Sequence, residues 1–217
     1  MSKKELAKRY LLFIVSLFFA GLGVAFTKHG ELGVSPISSV ANIMSYKFTA
    51  LSMGSWLFVT NCVLIIGQIL LLGKRFQPIQ LLQVPLSFLF GYFTDFGMWC
   101  ASFIPNDLYP IRLALVLGGN IILGFGIALG VIADVILNSG EAFVKALADV
   151  LHKDFGNTKI AFDISWVAFS IVLSLLFFHG QLVGTREGTI ISAVCTGMVV
   201  KFFRPRLQPV LTSLIKG

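Results

Sequence analysis

The sequence predicts an all-α membrane protein: six transmembrane helices in two inverted-topology repeats of three, each with a short helix between its first and second spans. Three observations predict it. Hydrophobic residues make up 56% of the 217, charged ones only 12%, with a mean hydropathy of +0.88, so water is the wrong solvent for most of the surface. Apolar runs bounded by Gly, Pro and charge recur at lengths suited to a bilayer core about 30 Å thick, which needs roughly 20 apolar residues per helix. The chain also resembles itself across its two halves.

The runs place spans near 10–27, 53–73, 79–103, 111–136, 159–179 and 186–203, all in a single membrane domain covering 1–217. Repeat one is about 10–103 and repeat two about 111–203, with 204–217 as a cytoplasmic tail. The first run follows Lys3, Lys4, Lys8 and Arg9 as a secretory signal would, but no small-x-small cleavage site follows it, so it reads as a retained helix. With the N-terminus inside, the cytoplasmic loops and ends hold 13 of the 17 Lys and Arg residues. Lys28, Lys47, Arg112 and Arg186 are left outside, and this bias puts both termini on the cytoplasmic side of the membrane.

In the repeat, Ala20-Gly21-Leu22-Gly23-Val24-Ala25-Phe26 aligns with Leu123-Gly124-Phe125-Gly126-Ile127-Ala128-Leu129. A turn and a short helix follow in each half: Ser35-Pro36 into Ile37–Ser45, and Ser139-Gly140 into Glu141–Leu151. Gly54 then aligns with Gly156, Asn61 with Asp163, and Gly91 with Gly197. A unit of three spans is odd, so the second copy starts from the opposite side of the membrane. Secondary transporters use this design, with substrate sites near the midplane where the repeats meet. The glycines also fit a plainer role as small residues that let helices approach.

The net charge of +7 does not signal nucleic acid, because the basic residues flank apolar runs without the aromatic-basic surface that stacks bases. No metal-ligand spacing, Gly-x-Ser-x-Gly elbow or phosphate loop is present, which argues against an enzyme, a metal centre or a cofactor. Cys62, Cys100 and Cys195 are isolated in apolar runs, and His29, His152 and His179 stand apart at span ends. Trp99, Tyr92 and Tyr109 suit an interfacial belt.

Ionisable groups at membrane depth are costly unless they serve a cavity or a partner, which singles out Asp134, Glu141, Asp163, Arg186 and Glu187, with Asn42, Asn61, Gln80 and Gln83 as uncharged counterparts in the first half. Arg186 and Glu187, as helix neighbours, are expected to reach two different partners. Ser35 and Ser139 read as helix-starting residues whose following amides would favour an anion or carboxylate if the short helices dip into the bilayer. An amphipathic helix lying on the interface fits 141–151 equally well, since Phe143, Val144, Leu147 and Leu151 share a face. These eight residues, Ser35, Asn42, Asn61, Ser139, Glu141, Asp163, Arg186 and Glu187, form the candidate substrate- or ion-binding set.

Ser139-Gly140-Glu141, Lys159-Ile160-Ala161-Phe162-Asp163-Ile164-Ser165 and Leu182-Val183-Gly184-Thr185-Arg186-Glu187-Gly188-Thr189 together resemble the YitT/YczE-type family of bacterial integral membrane proteins, as does Gly33-Val34-Ser35-Pro36. The resemblance is most specific over 139–197 and implies six spans in the bacterial cytoplasmic membrane. One departure is that Ser139-Gly140-Glu141-Ala142 stands where that family commonly has Pro-Gly-Glu-Gly.

The functional expectation is a secondary transporter or permease for a small polar or charged metabolite or ion, with H⁺ or Na⁺ as the coupling ion and the lipid bilayer as its surroundings. Two alternatives stand beside it: a membrane-embedded partner or regulatory subunit without transport of its own, and a lipid-translocating protein. A homodimer or a partner membrane subunit is compatible with either.

Overall fold

The computed structural model describes residues 2–216; 82% of the chain is helical, and no strand occurs among the described residues. Among the described residues eight α-helices follow in order: α1 (Lys3–His29), α2 (Ser39–Lys47, entered through a 3₁₀ turn at Pro36–Ser38), α3 (Met53–Leu72), α4 (Gln83–Ala101), α5 (Tyr109–Ala133), α6 (Ser139–Leu151), α7 (Phe155–Phe177) and α8 (Glu187–Lys216). Four stretches of the described residues are long and apolar enough to cross a membrane: Lys3–His29, Met53–Arg75, Tyr109–Ala133 and Phe155–Phe177. The helices α4 and α8 occupy the other two expected positions but are diluted, α4 by Pro85 and Asp95, α8 by Lys201 and Arg204.

Local chemistry sets the ends. Ser2, Ser52 and Asp154 cap α1, α3 and α7, each side chain accepting from an amide three residues on. Pro110 opens α5 where a missing N–H costs nothing. Asp134 and His152 end α5 and α6 in the left-handed region. Within the expected tail, 204–216 is helical: α8 continues through Pro205 and Pro209 to Lys216. Its end lies beside the start of α1, where Lys8 Nζ donates to Leu214 O at 2.9 Å.

The centre is a long antiparallel pair, α1 against α5. Arg9 Nη1 donates to Ala133 O at 3.0 Å at one end, and Gly30 lies against Arg112 O at the other. Between these ends the pair is too close for side chains at the glycines. A Cβ on Gly23 would come within 2.6 Å of Gly119 O, and one on Gly126 within 2.5 Å of Ala20 N. The glycines read as packing residues therefore do pack. Helix α4 lies along the outer side of α1 and α8 along that of α5, while α3 packs on α4 and α6, and α7 on α2 and α6.

Candidate functional site

Both short helices start inside the bundle and finish outside it. Ser139 is 1% exposed and Ser35 7%, whereas Phe48 and Leu151 at the far ends are largely exposed. The two starts meet: Gly140 has no room for a Cβ because the Ile37 side chain fills that space. Ile37 also packs with Leu64, Val144 and Phe162, and its carbonyl accepts from Trp166 Nε1 at 3.1 Å.

A first group of polar residues surrounds the start of α6. Ser139 Oγ lies 2.8 Å from Ser87 Oγ, and Ser139 O accepts from Gln68 Nε2 at 3.2 Å. Gln68 and Gln83 in turn bond each other's amides. Next along the chain is Glu141, half-buried, which makes no hydrogen bond or ion pair among the described residues. Its carboxyl is held above the ordinary range chiefly by burial; Lys159 opposes the shift and Asp163 adds to it. Lys159 and Asp163 are themselves an ion pair one turn apart on α7. Asn61, two turns before Gln68 on α3, is buried with its Nδ2 unpartnered.

A second group lies where the end of α1, helix α2 and the start of α8 meet. Lys28 Nζ donates to Asn42 Oδ1 at 2.7 Å and to Ser45 Oγ at 2.9 Å, and sits 3.7 Å from the centre of the Tyr46 ring. Asn42 Nδ2 donates to Gly184 O at 2.7 Å, tying α2 to the connector before α8. Ser35 Oγ donates to Ser38 Oγ at 3.0 Å. Thr189 and Ser192, one turn apart on α8, are buried with unpartnered hydroxyls.

The expected site residues thus fall into separate places. Ser139, Glu141 and Asp163 belong to the first group and Ser35 and Asn42 to the second, the Ile37–Gly140 contact lies between, and Asn61 stands apart, two turns along α3 from Gln68. Arg186 and Glu187 depart from expectation: they pair with each other at 3.4 Å on an exposed surface. The reason is local, since Arg186 precedes the first turn of α8 and the geometry that separates helix neighbours does not apply to it. Lys28, Gln68 and Ser87 were not singled out by sequence. Lys28 had a readable signal, a cation in the last turn of an apolar span.

No cluster of three His, Cys, Asp or Glu side chains suited to a metal occurs among the described residues. What the first group offers is a carboxyl primed for protonation or for a cation, beside one pre-formed ion pair. Residues 7–205 match the profile of a family of unknown function, DUF6198. The chain belongs to that family. The match runs from α1 into α8 and covers both polar groups. The chain is also 25% identical over 207 residues to the uncharacterized membrane protein YczE of Bacillus subtilis, covering 94% of this chain and 89% of that protein. This agrees with the YczE-type resemblance read from 139–197 and makes the DUF6198 chain a membrane protein. No solved structure matches it.

Proposed function

We propose that this chain is a secondary transporter or permease for a small polar or charged metabolite or ion, working in the bacterial cytoplasmic membrane with both termini inside. In this reading α1, α3, α4, α5, α7 and α8 are the six spans, and α2 and α6 are re-entrant helices that meet at the centre. The observation that carries it is the buried meeting of Ile37 and Gly140 at the starts of two short helices, with Glu141 beside it. Interior helix starts are where transporters seat anionic groups of a substrate, and an ionisable residue at membrane depth beside them is a natural place for a coupling ion.

Matched packing supports the inverted repeat. Gly23 approaches Gly119 and Leu123, and its repeat mate Gly126 approaches Ser16 and Ala20, which are the counterparts of those two residues. Gly21 meets Phe93 on α4, and its mate Gly124 meets Val199, the counterpart of Phe93, on α8. The antiparallel run of α1 and α5, the first span of each half, fits copies of opposite orientation.

Glu141 is assigned the coupling proton or Na⁺, with Asp163 and Asn61 completing the site. No catalytic residue and no cofactor enters this scheme. The test is a ligand screen by thermal shift in detergent, followed by uptake of each hit into proteoliposomes under an imposed H⁺ or Na⁺ gradient. Gradient-driven uptake that falls at least tenfold in Glu141→Gln is expected. Uptake unchanged in both Glu141→Gln and Asp163→Asn removes the site assignment, and stabilising ligands that are never moved favour a membrane-embedded partner subunit.

A further inference from the structure

The seam between α3 and α4 is closed, and its counterpart between α7 and α8 is not. At the first seam Gly54 and Gly91 touch, leaving neither room for a Cβ; one on Gly91 would lie 3.0 Å from Gly54 C and closer still to its oxygen. Asp95, one turn beyond Gly91, accepts from Gly54 N at 2.8 Å and from Ser52 Oγ, so a carboxylate on α4 caps α3. Continuing the alignment of Gly54 with Gly156 and Gly91 with Gly197, Ser52 falls on Asp154 and Asp95 on Lys201.

The second seam carries all the parts, separated. A Cβ on Gly197 would have nothing within 4 Å of it, and one on Gly156 would meet only the carboxylate of Asp154. Helix α7 packs on α2 and α6 without packing along α8. Asp154 caps its own helix at Asn157 N, and no carboxylate among the described residues lies within 4 Å of Lys201 Nζ. The polar pair is also changed in kind: where Asp95 holds a serine, Lys201 would meet an aspartate of opposite charge. Residues in the left-handed region flank α7 on both sides, His152 before it and His179, Gly180 and Gly184 after it. These are places where the backbone can redirect a helix.

We infer that α7 closes against α8 in a second conformation, seating Gly156 on Gly197 and pairing Lys201 with Asp154. The inference rests on the repeat reading above and gives it a moving part. Because Lys159 and Asp163 ride on α7, closure shifts their ion pair relative to Glu141 on α6 and links the seam to the proposed site. The small residues set how near the helices come, and the ion pair sets which state is favoured.

The test is cross-linking of the full chain in native membranes, starting from a variant lacking Cys62, Cys100 and Cys195. Gly156→Cys with Gly197→Cys is oxidised with copper phenanthroline; a disulfide requires the two Cα atoms to come within about 7 Å. Ser87→Cys with Ser139→Cys, already in contact, is the positive control. An intramolecular link is expected, formed severalfold more slowly with Asp154→Asn, which keeps a capping side chain but loses the charge, or with Lys201→Glu. The inference is overturned if the control links and the Gly156/Gly197 pair does not, if the pair links only between copies, or if its rate ignores both charge changes. The readout needs no substrate, so a chain that closes but moves nothing keeps this inference and loses the transporter reading.

Discussion

The side-chain amides of Gln68 and Gln83 donate to each other across the α3–α4 seam, at 3.0 and 3.2 Å, with both residues essentially removed from solvent. Gln68 Nε2 also reaches Ser139 O at 3.2 Å and so fixes where α6 starts. Gln68→Leu leaves the Gln83 amide without a partner, at a cost of about 1–3 kcal/mol for that buried group, and takes from the Ser139 carbonyl the second of its two bonds. Thermal unfolding in detergent is expected to fall further for Gln68→Leu than for Gln83→Leu. The double variant should recover part of the loss, because replacing both partners removes the unpaired amide.

The α1–α5 contact predicts opposite responses at two glycines. A methyl at Gly23 would collide with the α5 backbone, 2.6 Å from Gly119 O, and nothing there can move without separating the helices. Gly118 faces open space in the same helix pair. Gly23→Ala should sharply reduce the monodisperse fraction in size-exclusion chromatography. Gly118→Ala should leave it unchanged and raise the melting temperature slightly, since alanine is favoured over glycine inside a helix by up to about 1 kcal/mol.

Helix positions were legible in the sequence because bilayer-length apolar runs are a one-dimensional signal; all six expected spans coincide with helices, and both serine-led turns open short ones. Which helices touch was not legible, and the site depends on that. Gln68 gives no signal and Gln83 reads only as an uncharged counterpart of the later acids until α3 and α4 lie side by side, and Glu141 and Asn42 look equivalent until the fold puts them in different groups. Arg186 and Glu187 show the same limit locally, since a helix start displaced by one residue turned two expected partners into one pair. Lys28 was counted only as a topology charge, yet its partners come from α2, a helix too short and polar to dominate any window.

Glu141 predicts a pH dependence with a definite sign. Its carboxyl is raised above the ordinary value, with burial as the main cause, so the folded state holds this proton more tightly than the unfolded chain. The resulting stabilisation is fully present below the ordinary glutamate pKa and is lost as pH rises through the raised one. Melting temperatures of the parent protein and of Glu141→Gln, followed from pH 4 to pH 9, should agree at the acid end and diverge upward for the variant. Parallel curves would show that Glu141 ionises as readily in the folded chain as in the unfolded one.

Asn42 predicts a connector effect that separates its two bonds. Its Oδ1 accepts from the Lys28 ammonium at 2.7 Å, and its Nδ2 donates to Gly184 O at 2.7 Å, so one side chain joins α1, α2 and the segment leading into α8. Asn42→Ala removes both bonds, and a bond to a charged group alone is worth about 1.5–3 kcal/mol. It should lower the melting temperature and speed hydrogen exchange across 181–186. Asn42→Asp keeps an acceptor for Lys28 and strengthens it with charge, but turns a second acceptor toward Gly184 O. That variant should therefore melt closer to the parent protein than Asn42→Ala while exchanging as fast in 181–186; slow exchange there would mean that Gly184 is held by something other than Asn42.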